Sequence, residues 1–281
     1  MRLLINLALL LVLVSCSPGI GEETIEPAED KAAKAGENPF PLIPDFSLSR
    51  DDLARFAADN ADPGTAEAIM VRPAEFLLLM REILKEPEDL FLIADKKHAL
   101  PEDYTPEDLV ALTEFPLTLN RKDLSLRERI MPDLLAMDQA ARNEGLKLVY
   151  SSSYRSYDYQ KQVYQRHVNQ MGQEAADRIS ARPGTSQHQL GTTVDFGSIT
   201  DAFAETPEGR WLKKNAWRFG FSLSYPEGYE DLTGYAWESW HYRYIGRPAA
   251  RMTELFFEGI QHNFLYFLDA HRSFFQERRL P

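Results

Sequence analysis

The sequence predicts an α+β protein, on three observations. Strand-like runs are only about five residues long, as in LKLVY (146–150) and TTVDF (192–196). Helix-like segments such as YDYQKQVYQRHVNQM (157–171) lie among them. The two kinds follow no regular βαβ alternation, and no internal repeat, P-loop or dinucleotide fingerprint is present.

With 281 residues, 44% of them hydrophobic, the chain can build one sizeable core plus additions, or two small domains. Its formal net charge is −12, and no Lys/Arg cluster makes the basic face that gripping a polyanion needs, so nucleic acid is set aside as a partner.

The elements follow in chain order. MRLLINLALLLVLVSC opens with Arg2 and an apolar run, Leu3 to Val14, broken only by Asn6. A membrane-spanning helix needs about 20 residues, so this run fits the apolar stretch of a signal peptide. LVSC resembles a bacterial lipobox, which makes Cys16 the lipidated first residue of the mature chain and residues 1–15 a lipoprotein signal peptide. The chain is then expected in the cell envelope, lipid-anchored on the outer face of a bacterial membrane. Cys16 is the only cysteine, so no intrachain disulfide framework exists. Residues 16–41, rich in Glu, Pro, Ala, Gly and Lys, read as a flexible tether.

Residues 42–87 read as an N-terminal helical extension. SRDDLARFAADN has Ser49 as N-cap with Asp52 three positions on, and PAEFLLLMREILKEP has Pro73 at a helix start and an apolar stripe of Leu77, Leu78, Met80 and Ile83. The domain expected over 88–247 begins with a short strand, Leu90 to Ala94, leading into a loop. A helix follows from Pro132, ending before Gly145, and then a buried strand, Leu146 to Tyr150. The helix from Tyr157 closes at Gly172. TTVDFGS is a strand, PEGRWLKKNAWRFGF a helix, FSLSY a strand and WESWHYRYIG an aromatic, β-prone segment. Residues 248–281 form one or two amphipathic helices, with Met252, Leu255, Phe256, Ile260, Phe264 and Phe267 spaced as a stripe that reads as core rather than interface.

A hydrolytic zinc site needs three protein ligands and a carboxylate that moves protons. His188 lies in a loop between Gly184 and Gly191. Asp195 shares a strand face with Thr193, while Val194 and Phe196 take the other. An acid among such neighbours is costly unless it is paired or metal-bound. His241 sits among large residues in ESWHYRY. Glu238 precedes it by three, so in a regular strand the two would face opposite sides. For both to reach one centre the chain must bulge or turn around Ser239. Each residue also has an ordinary reading: a loop histidine that hydrogen-bonds, an Asp paired with an Arg, a core segment with one ion pair. Spacing alone leaves these alternatives open. His98, His167, His262 and His271 read as ordinary histidines.

YSSSYRSYDYQ, PGTSQHQLGTTVDF and GYAWESWHYRY, in this order, resemble the VanY-like D-alanyl-D-alanine carboxypeptidases, zinc peptidases marked by Ser-x-His-x6-Asp followed by Glu-x-x-His. ADKKHALPEDYTPEDLV is similar to the segment that opens the family's domain, so the resemblance covers about residues 88–247. It implies a small antiparallel sheet with flanking helices, of the hedgehog/D-Ala-D-Ala peptidase type. It implies Zn2+ bound by His188, Asp195 and His241, and Glu238 as catalytic base. Arg155 and Ser186 match substrate-binding positions, Arg155 with a catalytic role as well, and Gln160 matches a further recurrent position. Ser239 stands where the family often has Pro. The implied activity is removal of the terminal D-Ala from peptidoglycan stem peptides. An L,D-carboxypeptidase, an endopeptidase or a non-catalytic peptidoglycan-binding lipoprotein are the alternatives. No protein partner is indicated.

Overall fold

The computed structural model describes residues 40–281. The expected signal peptide, the expected lipidation site Cys16 and nearly all of the expected tether lie outside those residues.

Helix α1 (Arg50–Asn60) starts as its sequence requires: Ser49 and Asp52 cap each other's backbone N–H groups. Helices α2 (Pro63–Val71) and α3 (Pro73–Ile83) both begin at a proline, and Asp62 caps α2. The expected strand Leu90–Ala94 does not form. Glu88–Phe91 is a 3-10 turn after Pro87, and the carbonyls of Leu90 and Leu92 accept hydrogen bonds from the buried guanidinium of Arg243 instead of a neighbouring strand.

Strands β1 (Leu109–Ala111) and β3 (Ser125–Arg127) form a small antiparallel pair, with β2 (Thr118–Leu119) between them in sequence. The sequence predicts no strand here, because these two- and three-residue strands are too short to show a period. Helix α4 (Met131–Asn143) buries Leu134, Met137 and Ala141. Strand β4 runs Val149–Ser152, later than the expected 146–150, because Leu146 still bonds back to Ala141 in the helix exit. Then come α5 (Tyr157–Met171), a short unpredicted α6 (Gln173–Ile179), β5 (Thr193–Phe196), α7 (Pro207–Asn215), β6 (Phe221–Leu223), the single turn α8 (Glu230–Thr233), and β7 (His241–Tyr244). The tail is two helices, α9 (Arg247–Phe256) and α10 (Gln261–Glu277).

The main sheet has the order β2-β4-β5-β7-β6. The sheet is antiparallel as expected in all its pairs except the edge pair β2–β4, which is parallel. Its two faces divide the labour. Val194 pairs with Tyr242, and on that face the ring of Phe196 packs against those of Tyr242 and Tyr150 in the core. Asp195 pairs with His241 on the opposite face. One hydrophobic core joins the core-facing side of the sheet to the helices, where Phe46 packs edge-on against Phe275 and rings of α1, α3, α9 and α10 (Phe56, Phe76, Phe256, Phe267) pack together. Phe256, Phe257, Phe264 and Phe267 are all buried there.

A candidate metal centre on the sheet

The polar face of β5 and β7 supplies two of the three expected ligands from rigid strands. The third, His188, sits in the 3-10 turn Gln187–Leu190, which Gly191 ends with φ 70°. A side chain there would press on Arg127 Cγ and Leu109 Cδ2 at 3.0 Å, so glycine serves both the turn and the close packing of β1 and β3 behind it. The backbone N–H of Arg155 then donates to the His188 carbonyl, fixing the turn against the end of β4.

These placements converge. His188 Nε2 lies 3.2 Å from Asp195 Oδ2, and His241 Nδ1 lies 3.2 Å from Asp195 Oδ1. All three residues are buried, and their ligand atoms lie within 4.8 Å of one another. Ligand atoms around a tetrahedral zinc with bonds of about 2.0–2.2 Å are themselves about 3.3 Å apart. Asp195 Oδ1 approaches His241 without the alignment of a hydrogen bond, so its lone pairs are not committed to the imidazole. His188 Nδ1 donates to the Ser153 carbonyl at 2.7 Å, which leaves Nε2 with its lone pair toward Asp195. With both rings in their neutral form, the two imidazoles and one carboxylate in this arrangement fit a zinc ion.

Glu238 joins them through the turn expected at Ser239. The His241 N–H closes that turn on the Glu238 carbonyl at 3.2 Å, and Glu238 Oε2 comes within 3.1 Å of His241 Nδ1. The charges are strongly coupled. Burial opposes ionisation of Asp195, but His188 and His241 outweigh it and hold the carboxyl far below its usual range. Burial pushes His188 down to about 4. Burial also opposes protonation of His241, yet Asp195 and Glu238 together raise it to about 9. Burial raises the Glu238 carboxyl, partly countered by His241 and Arg155. Two carboxylates thus converge on one point where positive charge is stabilised.

The centre opens on a cleft of about 300 Å³, lined among others by Ser186, Arg155, Arg121, Arg166, Tyr159 and Trp240. Arg155 is held by two side chains, donating from Nη1 to Gln160 Oε1 at 2.7 Å and from Nη2 to Ser152 Oγ at 3.1 Å. Its burial lowers the pKa of the guanidinium, while Asp195 and Glu238 oppose that. Gln160 itself is 0% exposed, does not line the cleft, and spends its amide N–H on the Ala181 carbonyl at 2.5 Å. The structure therefore brings Gln160 to Arg155 but not to the place a substrate would occupy. The Ser186 hydroxyl accepts from the His188 N–H at 3.3 Å and faces the cleft. Sequence reasoning missed the Ser153 carbonyl, Ser152, Tyr225 and Gln187. Tyr225 packs its ring 4.7 Å from that of His241. Ser152, Ser153 and Gln187 stand inside the YSSSYRS and SQH motifs, beside Arg155 and His188, and that adjacency is the signal the sequence carries for them.

A profile of the VanY family, described as D-alanyl-D-alanine carboxypeptidase, matches residues 123–247. The Bacillus subtilis (strain 168) protein YodJ is 36% identical over 180 residues, 62% of this chain and 66% of that protein, so the chain spans just under two thirds of that relative's length. Among solved structures, the LdcB LD-carboxypeptidase is 32% identical with a TM-score of 0.57, covering 62% of this chain and 84% of that one. A variant of the vancomycin-resistance D,D-pentapeptidase VanY in complex with Zn(II) is 30% identical with a TM-score of 0.53, covering 63% of this chain and 99% of that one. The α+β fold thus has the form of a VanY/VanX-type peptidase. The chain belongs to the VanY family of D-alanyl-D-alanine carboxypeptidases.

Proposed function

We propose that this chain is a zinc-dependent carboxypeptidase that removes the terminal D-alanine from peptidoglycan stem peptides. The observation that carries the reading is the convergence of His188, Asp195 and His241 on one point with Glu238 beside them. Those three residues would hold the ion. Zinc on them supplies Lewis acidity, polarising the scissile carbonyl and making water more acidic. The chain's own groups do the rest. The Glu238 carboxylate takes a proton from the attacking water and returns it to the leaving amine of D-alanine. Burial raises the proton affinity of Glu238, which suits a group that must both take and give a proton. Arg155, held by Gln160 and Ser152, presents a fixed guanidinium either to the substrate's C-terminal carboxylate or to the oxyanion that forms at the carbonyl. Ser186 offers a hydroxyl at the cleft wall. Arg121 and Arg166 add positive charge to the cleft, which suits a peptide that ends in a carboxylate.

The likeness to LdcB supports a second reading, an L,D-carboxypeptidase acting on tetrapeptide stems through the same residues. An endopeptidase would use the same set. Pentapeptide and tetrapeptide stems, incubated with the protein with and without zinc and followed by mass spectrometry, separate these. Loss of one D-alanine from the pentapeptide alone supports the first reading, and loss from the tetrapeptide the second. Stoichiometric zinc with no cleavage of any stem points to a binding module.

The reading extends to the cell envelope. Lipidation at Cys16 followed by a tether would hold the catalytic domain on the outer face of a membrane, within reach of peptidoglycan. Cys16→Ser should then shift the protein from the membrane fraction to the soluble one. Unchanged membrane association of that variant would end the anchoring proposal.

A further inference from the structure

Behind His241 a row of buried amides and hydroxyls runs to the C-terminal helix. Gln187 Oε1 lies 3.3 Å from His241 Nε2 and accepts a hydrogen bond from Ser224 Oγ at 2.7 Å. The same hydroxyl lies 3.5 Å from Gln261 Oε1, and the Ser224 N–H donates to the His241 carbonyl at 3.1 Å. Gln261, the first residue of α10, donates from Nε2 to the Ser222 carbonyl at 3.2 Å. Gln187 is 2% exposed, and Ser224 and Gln261 are both 0% exposed. Polar groups buried this deeply cost free energy unless their partners hold them.

The chemistry of His241 gives the row a task. Its Nδ1 faces Asp195 and Glu238, so Nδ1 is the atom that would donate an electron pair to a metal. The proton of a neutral ring must then sit on Nε2, where it needs an acceptor. The Gln187 carbonyl is in place for it. An inverted Gln187 amide would set an N–H group against the Nε2–H instead. The Ser224 hydroxyl donates to the same carbonyl, so that oxygen can accept from Ser224 and from the Nε2–H together. Gln261 packs behind that hydroxyl and ties the row to β6. The family match ends at residue 247, so Gln261 lies beyond it.

We propose that Gln187 is a positioning residue that fixes the tautomer and ring plane of His241, with Ser224 and Gln261 holding it, so that α10 is a working part of the metal centre rather than a cover. This rests on reading that centre as a zinc site. The test uses the full chain and measures zinc affinity by chelator competition, with the melting temperature of each metal-free variant alongside. Gln187→Leu should weaken zinc binding by about 10- to 100-fold. Gln187→Glu, which keeps an acceptor at the same place, should restore affinity to within a few-fold of the parent. Gln261→Leu should weaken binding in the same direction by a smaller factor, and it carries the test if Gln187→Leu fails to fold. Parent-like affinity in both leucine variants overturns the inference alone, as does a glutamate variant as weak as the leucine one. A parent chain that binds no zinc overturns the metal reading and the inference with it.

Discussion

Asp195 and His241 are register partners across β5 and β7, and their carboxylate oxygen and imidazole Nδ1 stand 3.2 Å apart. The pairing places half of the site on hydrogen-bonded strands rather than on loops. The core-facing rings of Phe196 and Tyr242, on the reverse of the same strands, lock their orientation. A one-residue slip of β7 would send His241 into that core, so packing enforces the geometry of the site.

Asp195→Asn keeps the shape of the side chain and removes its charge. The donor set becomes neutral and loses the anion that His188 and His241 stabilise. Zinc should raise the melting temperature of the parent, because a ligand that binds only the folded state at about 100 times its Kd adds about 2.7 kcal/mol. In Asp195→Asn that rise should vanish or nearly so. Calorimetry with and without zinc decides it, and a full zinc-dependent rise in the variant would remove Asp195 from the ligand set.

Glu238→Ala separates ligation from proton transfer. The three ligands remain, so zinc content should stay stoichiometric. Loss of a general base should lower kcat by roughly 10²- to 10⁴-fold. Metal analysis beside steady-state kinetics on a stem pentapeptide reads both. Near-parent turnover in this variant would reassign the base.

Much of this site was legible in the sequence, and the reasons are local. Thr193 and Asp195 had to share a strand face because strand side chains alternate, and they do. Residues three apart can reach one centre only if the chain turns at Ser239, and the His241 N–H to Glu238 carbonyl bond makes that turn. The N-cap at Ser49 was equally local. The failures depend on distant partners. Leu90–Ala94 has a strand's composition, but Arg243, some 150 residues away, takes its carbonyls. The parallel pairing of β2 with β4 involves two residues on the short strand, too few to leave a period. Gln160 matched a recurrent position, yet its work is to hold Arg155, which only the three-dimensional contact reveals.

That contact carries its own prediction. Gln160→Leu removes the acceptor for Arg155 Nη1 and leaves the Ala181 carbonyl without its amide partner. A hydrogen bond to a charged group contributes about 1.5–3 kcal/mol, so kcat/KM should fall by roughly tenfold or more while zinc affinity holds. Restoration by Gln160→Glu would mark the acceptor as the relevant feature. Unchanged kinetics in Gln160→Leu would show that Arg155 needs no such support.

His262 gives the fold an acid-sensitive point behind the site. It is buried on α10, with its Nδ1 lacking a hydrogen-bond partner, beside the rings of Tyr225 and Tyr266. Burial pushes its pKa down to about 4; Asp95 opposes that shift and Arg243 and His241 reinforce it. The unfolded chain takes up this proton near pH 6.5, and the folded chain resists until about pH 4. Across that window the unfolded state binds more protons, so stability falls as pH drops from about 6.5 to about 4 and is flat in this term above it. A shift of this size corresponds to at most about 3 kcal/mol. His262→Phe cannot titrate, so the difference in unfolding free energy between parent and variant should change with pH only inside that window. Urea denaturation at a series of pH values measures it, and comparison with the variant cancels the contributions of His188, His167 and His271, whose pKa values are also lowered by burial. A parent–variant difference that stays constant from pH 7 to pH 4 would mean that His262 protonates as readily in the folded chain as in the unfolded one.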